Sequence, residues 1–79
     1  MAAKAFVLIE TAVGKNKEVM AALKQLTGVK SADMVTGPYD IIAVVERKNL
    51  NDIGDLVTGQ IHPIGGITRT VTCLAILAE

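Results

Sequence analysis

Apolar and polar positions predict six elements along the chain. Ala5-Phe6-Val7-Leu8-Ile9-Glu10 is a β-prone apolar run of strand length, broken by Gly14. From Lys15 to Thr27 the period is helical: Val19, Ala22, Leu23 and Leu26 share one face, with Lys15, Lys17, Glu18, Lys24 and Gln25 largely elsewhere. Gly28 reads as the helix stop. Val29 to Thr36 predicts a second, more polar strand, Gly37-Pro38 a turn, and Tyr39 to Arg47 a third strand. Asn49 suits the cap of a second helix, with Asp52 adding negative charge to its first turn. The apolar stripe of that helix is Leu50, Ile53, Leu56 (or Val57) and Ile61. Gly54 and Gly59 weaken it by about 1 kcal/mol each, so it leans on tertiary packing. His62-Pro63 ends it, Gly65-Gly66 turns the chain, and Ile67 to Leu77 is a fourth strand.

The order β-α-β-β-α-β predicts an α+β, ferredoxin-like domain, with two helices on one face of a four-stranded antiparallel sheet. The helix-free face should be polar if it meets water. It is not. In the third strand Ile41, Ala43 and Val45 point one way, and Asp40, Ile42, Val44 and Glu46 the other. In the first, Val7 and Ile9 oppose Phe6 and Leu8. Both faces are apolar, so the helix-free side is expected to be covered by a second copy, giving a dimer joined through its sheets.

Size and composition sharpen that expectation. The 79 residues are expected to form a single domain, 1–79. A chain this short buries only about 60–65% of its unfolded surface. Yet it is 51% hydrophobic, more than so thin a core accommodates. Eight basic and eight acidic side chains cancel, and one Phe and one Tyr give no stacking platform, so direct nucleic-acid binding is not expected. Cys73 is the only cysteine, which fits a reducing cytoplasmic setting and excludes a multi-cysteine metal cluster. No export signal opens the chain, and the apolar runs are too short to span a bilayer.

Catalytic signatures are scarce. His62 is the only histidine and lies in a connection. Gly14-Lys15 lacks the earlier glycine of a phosphate loop, since Ile9 stands there. Asp52 and Asp55 read as a solvated helix face, and Cys73 as a small core residue. No catalytic residue, metal ligand or cofactor is assigned. Two features remain. Gly37-Pro38-Tyr39-Asp40 presents a phenol and a carboxylate at a strand entrance, and Thr68, Thr70 and Thr72 share a face of the fourth strand. A carboxylate and a hydroxyl row beside turn amides can bind the two ends of an amino acid. Equally, Asp40 can cap the turn, and threonine is simply β-prone.

Together these residues carry a resemblance. Gly37-x-Tyr39-Asp40 before an apolar strand, then an amphipathic helix, Gly66-Ile67 and the alternation Thr70-x-Thr72, resembles the effector domain of the leucine-responsive regulator (Lrp)/AsnC family over nearly the whole chain. The resemblance implies a non-enzymatic, transcription-related module. It further implies sheet-to-sheet dimers assembled into rings, often octamers, and a small effector, usually an amino acid, held between dimers. It maps ligand contacts onto Gly37, Tyr39, Asp40, Thr70 and Thr72, with Met34, Val35 and Thr36 at the preceding strand end. Asp40 is then aimed at the effector's amino group across a subunit cleft.

The family usually carries an N-terminal helix-turn-helix, whereas here only Met1 to Lys4 precede the first strand. A stand-alone effector domain is therefore expected, with full-length relatives as possible co-assembly partners. The competing expectations are a small dimeric enzyme of oxygenase or isomerase type, reacting through Tyr39 or His62, and a purely structural oligomerisation module.

Overall fold

The computed structural model describes residues 2–76. Seven segments follow in order: β1 (Ala3–Thr11), α1 (Asn16–Lys24), β2 (Val29–Met34), β3 (Ile41–Arg47), α2 (Leu50–Leu56), a π-helical continuation of α2 (Val57–Ile61), and β4 (Ile67–Leu74). Leu77, where the fourth strand was expected to end, lies outside the described residues. The strands form one antiparallel sheet in the order β2-β3-β1-β4, which is the ferredoxin-like arrangement expected from the pattern.

The two hydrophobic strands, β1 and β3, occupy the centre and run in register from Ala3↔Arg47 to Ile9↔Ile41. Their alternation decides which side chains meet the helices. Ala5, Val7, Ile9, Ile41, Ala43 and Val45 are all fully buried on the helix side. Val19 and Leu23 of α1 pack onto them, as do Ile53, Leu56, Val57 and Ile61 of α2 and its continuation. The other face is apolar too. Phe6 is 37% exposed there, with Leu8, Ile42, Val44 and Val71 beside it, each only half-buried.

α2 begins as the sequence predicts, since the Asn49 Oδ1 accepts the Asp52 backbone N–H at 2.9 Å. Its stripe differs at one end. Leu50, expected in the core, is 58% exposed, because this first helical residue lies beside the sheet-edge residues Thr72 and Leu74. The turn then widens, with the His62 N–H donating to the Val57 carbonyl at 2.8 Å. That widening lets the adjacent Leu56 and Val57 both be buried.

α1 ends at Lys24, three residues short of the expected Thr27. Gln25 and Leu26 donate to Ala22 and Leu23, i→i+3 bonds that tighten and close the helix. Gly28 is therefore not the stop. It is a point of close approach, where an added Cβ would lie 2.7 Å from Leu56 Cδ2 and 3.3 Å from Arg47 Cδ. Cys73, expected in the core, is exposed, because it stands opposite Phe6 on the helix-free face.

Two glycine substitutions test this packing in opposite directions. Gly28→Ala drives a methyl into the buried Leu56 and is expected to lower the unfolding free energy by about 1–3 kcal/mol. Gly54→Ala meets nothing within 4 Å on α2 and is expected to raise it by about 0.5–1 kcal/mol. Urea titrations measure both, and equal midpoints for the two variants would contradict the assignment.

Candidate functional site

The β2–β3 turn is closed by the Val35 N–H donating to the Asp40 carbonyl at 2.9 Å. Gly37 holds φ +120°, a conformation that L side chains rarely adopt. Thr36, Gly37 and Pro38 are exposed, and Tyr39 is half-buried. Met34, at the end of β2, is 48% exposed, and its sulfur accepts from Asn16 Nδ2 at 3.6 Å.

Asp40 does structural work first. Its backbone N–H donates to the Ile9 carbonyl at 2.9 Å, which extends the β1–β3 ladder by one rung. Its Oδ2 accepts the Thr11 backbone N–H at 2.8 Å and the Thr11 hydroxyl at 3.3 Å. The carboxylate therefore caps the end of β1 from a position 29 residues away. Oδ1 makes no hydrogen bond among the described residues.

The threonines lie on the far edge strand. Thr70 pairs with Ile9 and Thr72 with Val7, which puts both on the helix side of the sheet. The Thr70 hydroxyl meets His62 Nε2 at 2.9 Å. Thr68, expected to join the row, falls at a bulge between Glu10 and Thr11 and donates its hydroxyl to the Glu10 carbonyl at 3.3 Å. Arg69 pairs with Glu10 on the same strands at 3.7 Å.

Among the described residues, two clefts border β4. One, about 300 Å³, is lined by His62, Ile67, Thr68, Arg69 and Thr70. The other, about 290 Å³ and mostly apolar, runs between Thr72 and Leu74 and the α2 residues Leu50, Ile53, Gly54, Val57 and Thr58. A third hollow of about 500 Å³, at the opposite end of the sheet from the β2–β3 turn, is lined by Ala2, Lys30, Glu46, Arg47 and Lys48. The turn residues line none of the three.

Nor does one chain bring the expected site together. β1 lies between β3 and β4, so the turn and the threonine strand stand about 10 Å apart at two strand spacings. Among the described residues no cluster of three His, Cys, Asp or Glu side chains could hold a metal ion. The His62–Thr70 pair has the separation of a base and a hydroxyl nucleophile, but among the described residues no carboxylate orients the imidazole. That pair is the feature sequence reasoning missed. His62 was legible as a residue beside Pro63, but its approach to Thr70 depends on the widened turn.

The sequence matches the Lrp/AsnC ligand binding domain over residues 4–78. The chain belongs to the Lrp/AsnC family. Its fold matches the crystal structure of PHS023 from Pyrococcus horikoshii with a TM-score of 0.89, 40% identity, and coverage of 100% of this chain and 94% of that one. The transcriptional regulator LrpA of Pyrococcus abyssi is 31% identical over 71 residues, 90% of this chain and 49% of LrpA. The Lrp/AsnC domain thus spans about half the length of that curated relative. The transcriptional regulator NMB0573 of Neisseria meningitidis, solved as an L-Met complex, shares the fold at 16% identity, with a TM-score of 0.85 over 95% of this chain and 50% of that one. Among the described residues no helix is long and apolar enough to cross a membrane.

The Asp40 cap is separable from any ligand role by substitution. Asp40→Ala leaves the Thr11 N–H without its acceptor and is expected to cost about 1–3 kcal/mol of unfolding free energy. Asp40→Asn keeps an oxygen acceptor and is expected to cost less than half as much. Chemical denaturation of both variants checks the order, and an unchanged Asp40→Ala midpoint would contradict it.

Proposed function

We propose that the Lrp/AsnC domain described here is a non-enzymatic, cytoplasmic sensor that binds an amino acid between copies of itself. One observation carries the proposal: β1 and β3 are apolar on both faces, and the chain supplies helices for only one. A second copy seated on Phe6, Leu8, Ile42, Val44 and Val71 removes that surface from water. At about 25 cal/mol per Å² of apolar area, such an interface adds the stability a small core lacks. A standard interface buries about 800 Å² per partner.

Assembly also resolves the separation of the expected contacts. Met34, Val35, Thr36, Gly37, Tyr39 and Asp40 lie at one end of the β2–β3 pair, and Thr70 and Thr72 on the opposite edge strand. Neighbouring chains in a ring of dimers can set the turn of one against the threonines of another. Asp40 Oδ1 then takes the ligand's ammonium, while backbone N–H groups and the Thr70 hydroxyl take its carboxylate. L-Methionine, the ligand in the NMB0573 complex, is a natural first probe. A regulatory role runs through ligand occupancy, in company with DNA-binding members of the family.

Calorimetric titration with each of the twenty amino acids tests the proposal. Wild type is expected to bind at least one of them, with affinity reduced about tenfold or more in Asp40→Asn and in Thr70→Ala, the size of a lost hydrogen bond to a charged group. Absence of binding to any amino acid would leave a small dimeric enzyme or a purely structural module. Undiminished binding in both variants would remove these residues from the site.

A further inference from the structure

Beyond the expected contacts, the cleft at the start of β4 contains a proton-sensitive group that no part of the sensor proposal uses. His62 and Thr70 line the same 300 Å³ space, and their polar atoms are 2.9 Å apart. The two side chains come from different elements. His62 follows the π-helical segment, whose widened turn puts the Val57 carbonyl on the His62 N–H at 2.8 Å and holds the residue over the edge strand.

The chemistry of the pair is asymmetric. A threonine hydroxyl has one hydrogen to donate and two lone pairs. If Nε2 carries a proton, it donates to Thr70 Oγ1, and the hydroxyl hydrogen is free to point at a ligand. If Nε2 is bare, Thr70 spends its hydrogen on the imidazole and can offer a ligand only lone pairs, which repel a carboxylate. Neutral histidine populates both arrangements. Imidazolium allows only the first, because both of its nitrogens are donors.

We infer that His62 is a positioning residue for the effector carboxylate, fixing Thr70 as a hydrogen-bond donor when protonated and thereby tightening effector binding as pH falls. This inference rests on Thr70 touching the effector. The surrounding charges are few. Arg69 lines the cleft and is paired with Glu10 at 3.7 Å. Lys15 of the α1 entry packs under Gly66, 2.9 Å from where a Cβ there would stand, and is paired with Glu18 at 3.6 Å. The π-helical segment and residues 63–66 carry no charged side chain. Histidine is the side-chain type whose ordinary charge change lies between about pH 5 and 8, and His62 is the histidine lining this cleft.

Protonated His62 favours the carboxylate-bound state, so the added affinity is present at low pH and lost as pH rises through the histidine range. The test is calorimetry between pH 5.5 and 8.0, using L-methionine or whichever of the twenty amino acids binds tightest. Wild type is expected to bind about three- to tenfold more tightly at the acidic end, from one charge-assisted hydrogen bond. At pH 7.0, titrations in phosphate and in Tris should show fractional proton uptake on binding.

His62→Gln, an exposed substitution that retains a partner for Thr70, is expected to fold normally, flatten the pH profile and abolish the uptake. Thr70-dependent binding with a flat wild-type profile, or a His62→Gln profile as steep as wild type, would overturn the role of His62 and leave the sensor proposal intact. Binding indifferent to Thr70→Ala would overturn the role of His62 and remove Thr70 from the site, and no amino-acid binding at all would overturn both proposals.

Discussion

A sheet that is apolar on two faces, in a chain with helices for one, is the constraint from which the rest follows. Val7, Ile9, Ala43 and Val45 are completely removed from solvent by α1, α2 and the π-helical continuation. Phe6 and Val44, their neighbours on the same strands, are not. β-branched and aliphatic residues at consecutive positions give the central strands their stability within the sheet, and the same run creates a surface that water disfavours. Cys73 illustrates the point: across from Phe6, it is exposed in the single chain and lies on the face that the proposed second copy covers.

The sheet order turns that constraint into a functional geometry. A central β1 keeps the β2–β3 turn away from the β4 edge, so the two groups of polar residues stand two strand spacings apart across the sheet. Asp40 is a structural anchor, since one carboxylate oxygen holds the end of β1 through Thr11. Its position is thus set by the strand ladder, and in the proposed site that placement preorganises the other oxygen for a ligand. The Thr70 hydroxyl is held in a comparable way by His62. The basic hollow of Lys30, Arg47 and Lys48 stands apart from both, at the opposite end of the sheet from the turn.

Much of the fold was legible because alternation and helical period are local. The strand pattern of β1 and β3, the Asn49 cap and the two-sided hydrophobicity all appear within short windows of sequence. What was not legible depends on contacts between distant segments. The early end of α1 comes from a tightened last turn, and Gly28 is explained by Leu56 pressing against it rather than by helix termination. Leu50 satisfies the helical period yet lies beside the sheet edge, beyond the reach of the core. Thr70 and Thr72 share a face as the alternation predicts, but the bulge that diverts Thr68 from the expected row requires knowing its partner strand. Asp40 posed a choice between capping and ligand binding that residue pattern alone leaves open. Its bond to Thr11 shows a structural role at the end of β1, outside its own turn, and the ligand role belongs to the proposed function.

Sedimentation velocity over a dilution series tests the central claim most directly. A covered helix-free face predicts a mass of at least twice the 8.3 kDa chain, persisting to low micromolar concentration and collapsing to the folded single chain in Val44→Asp. A wild-type protein that sediments as a folded 8.3 kDa monomer at every concentration would contradict it, and with it the cleft between chains.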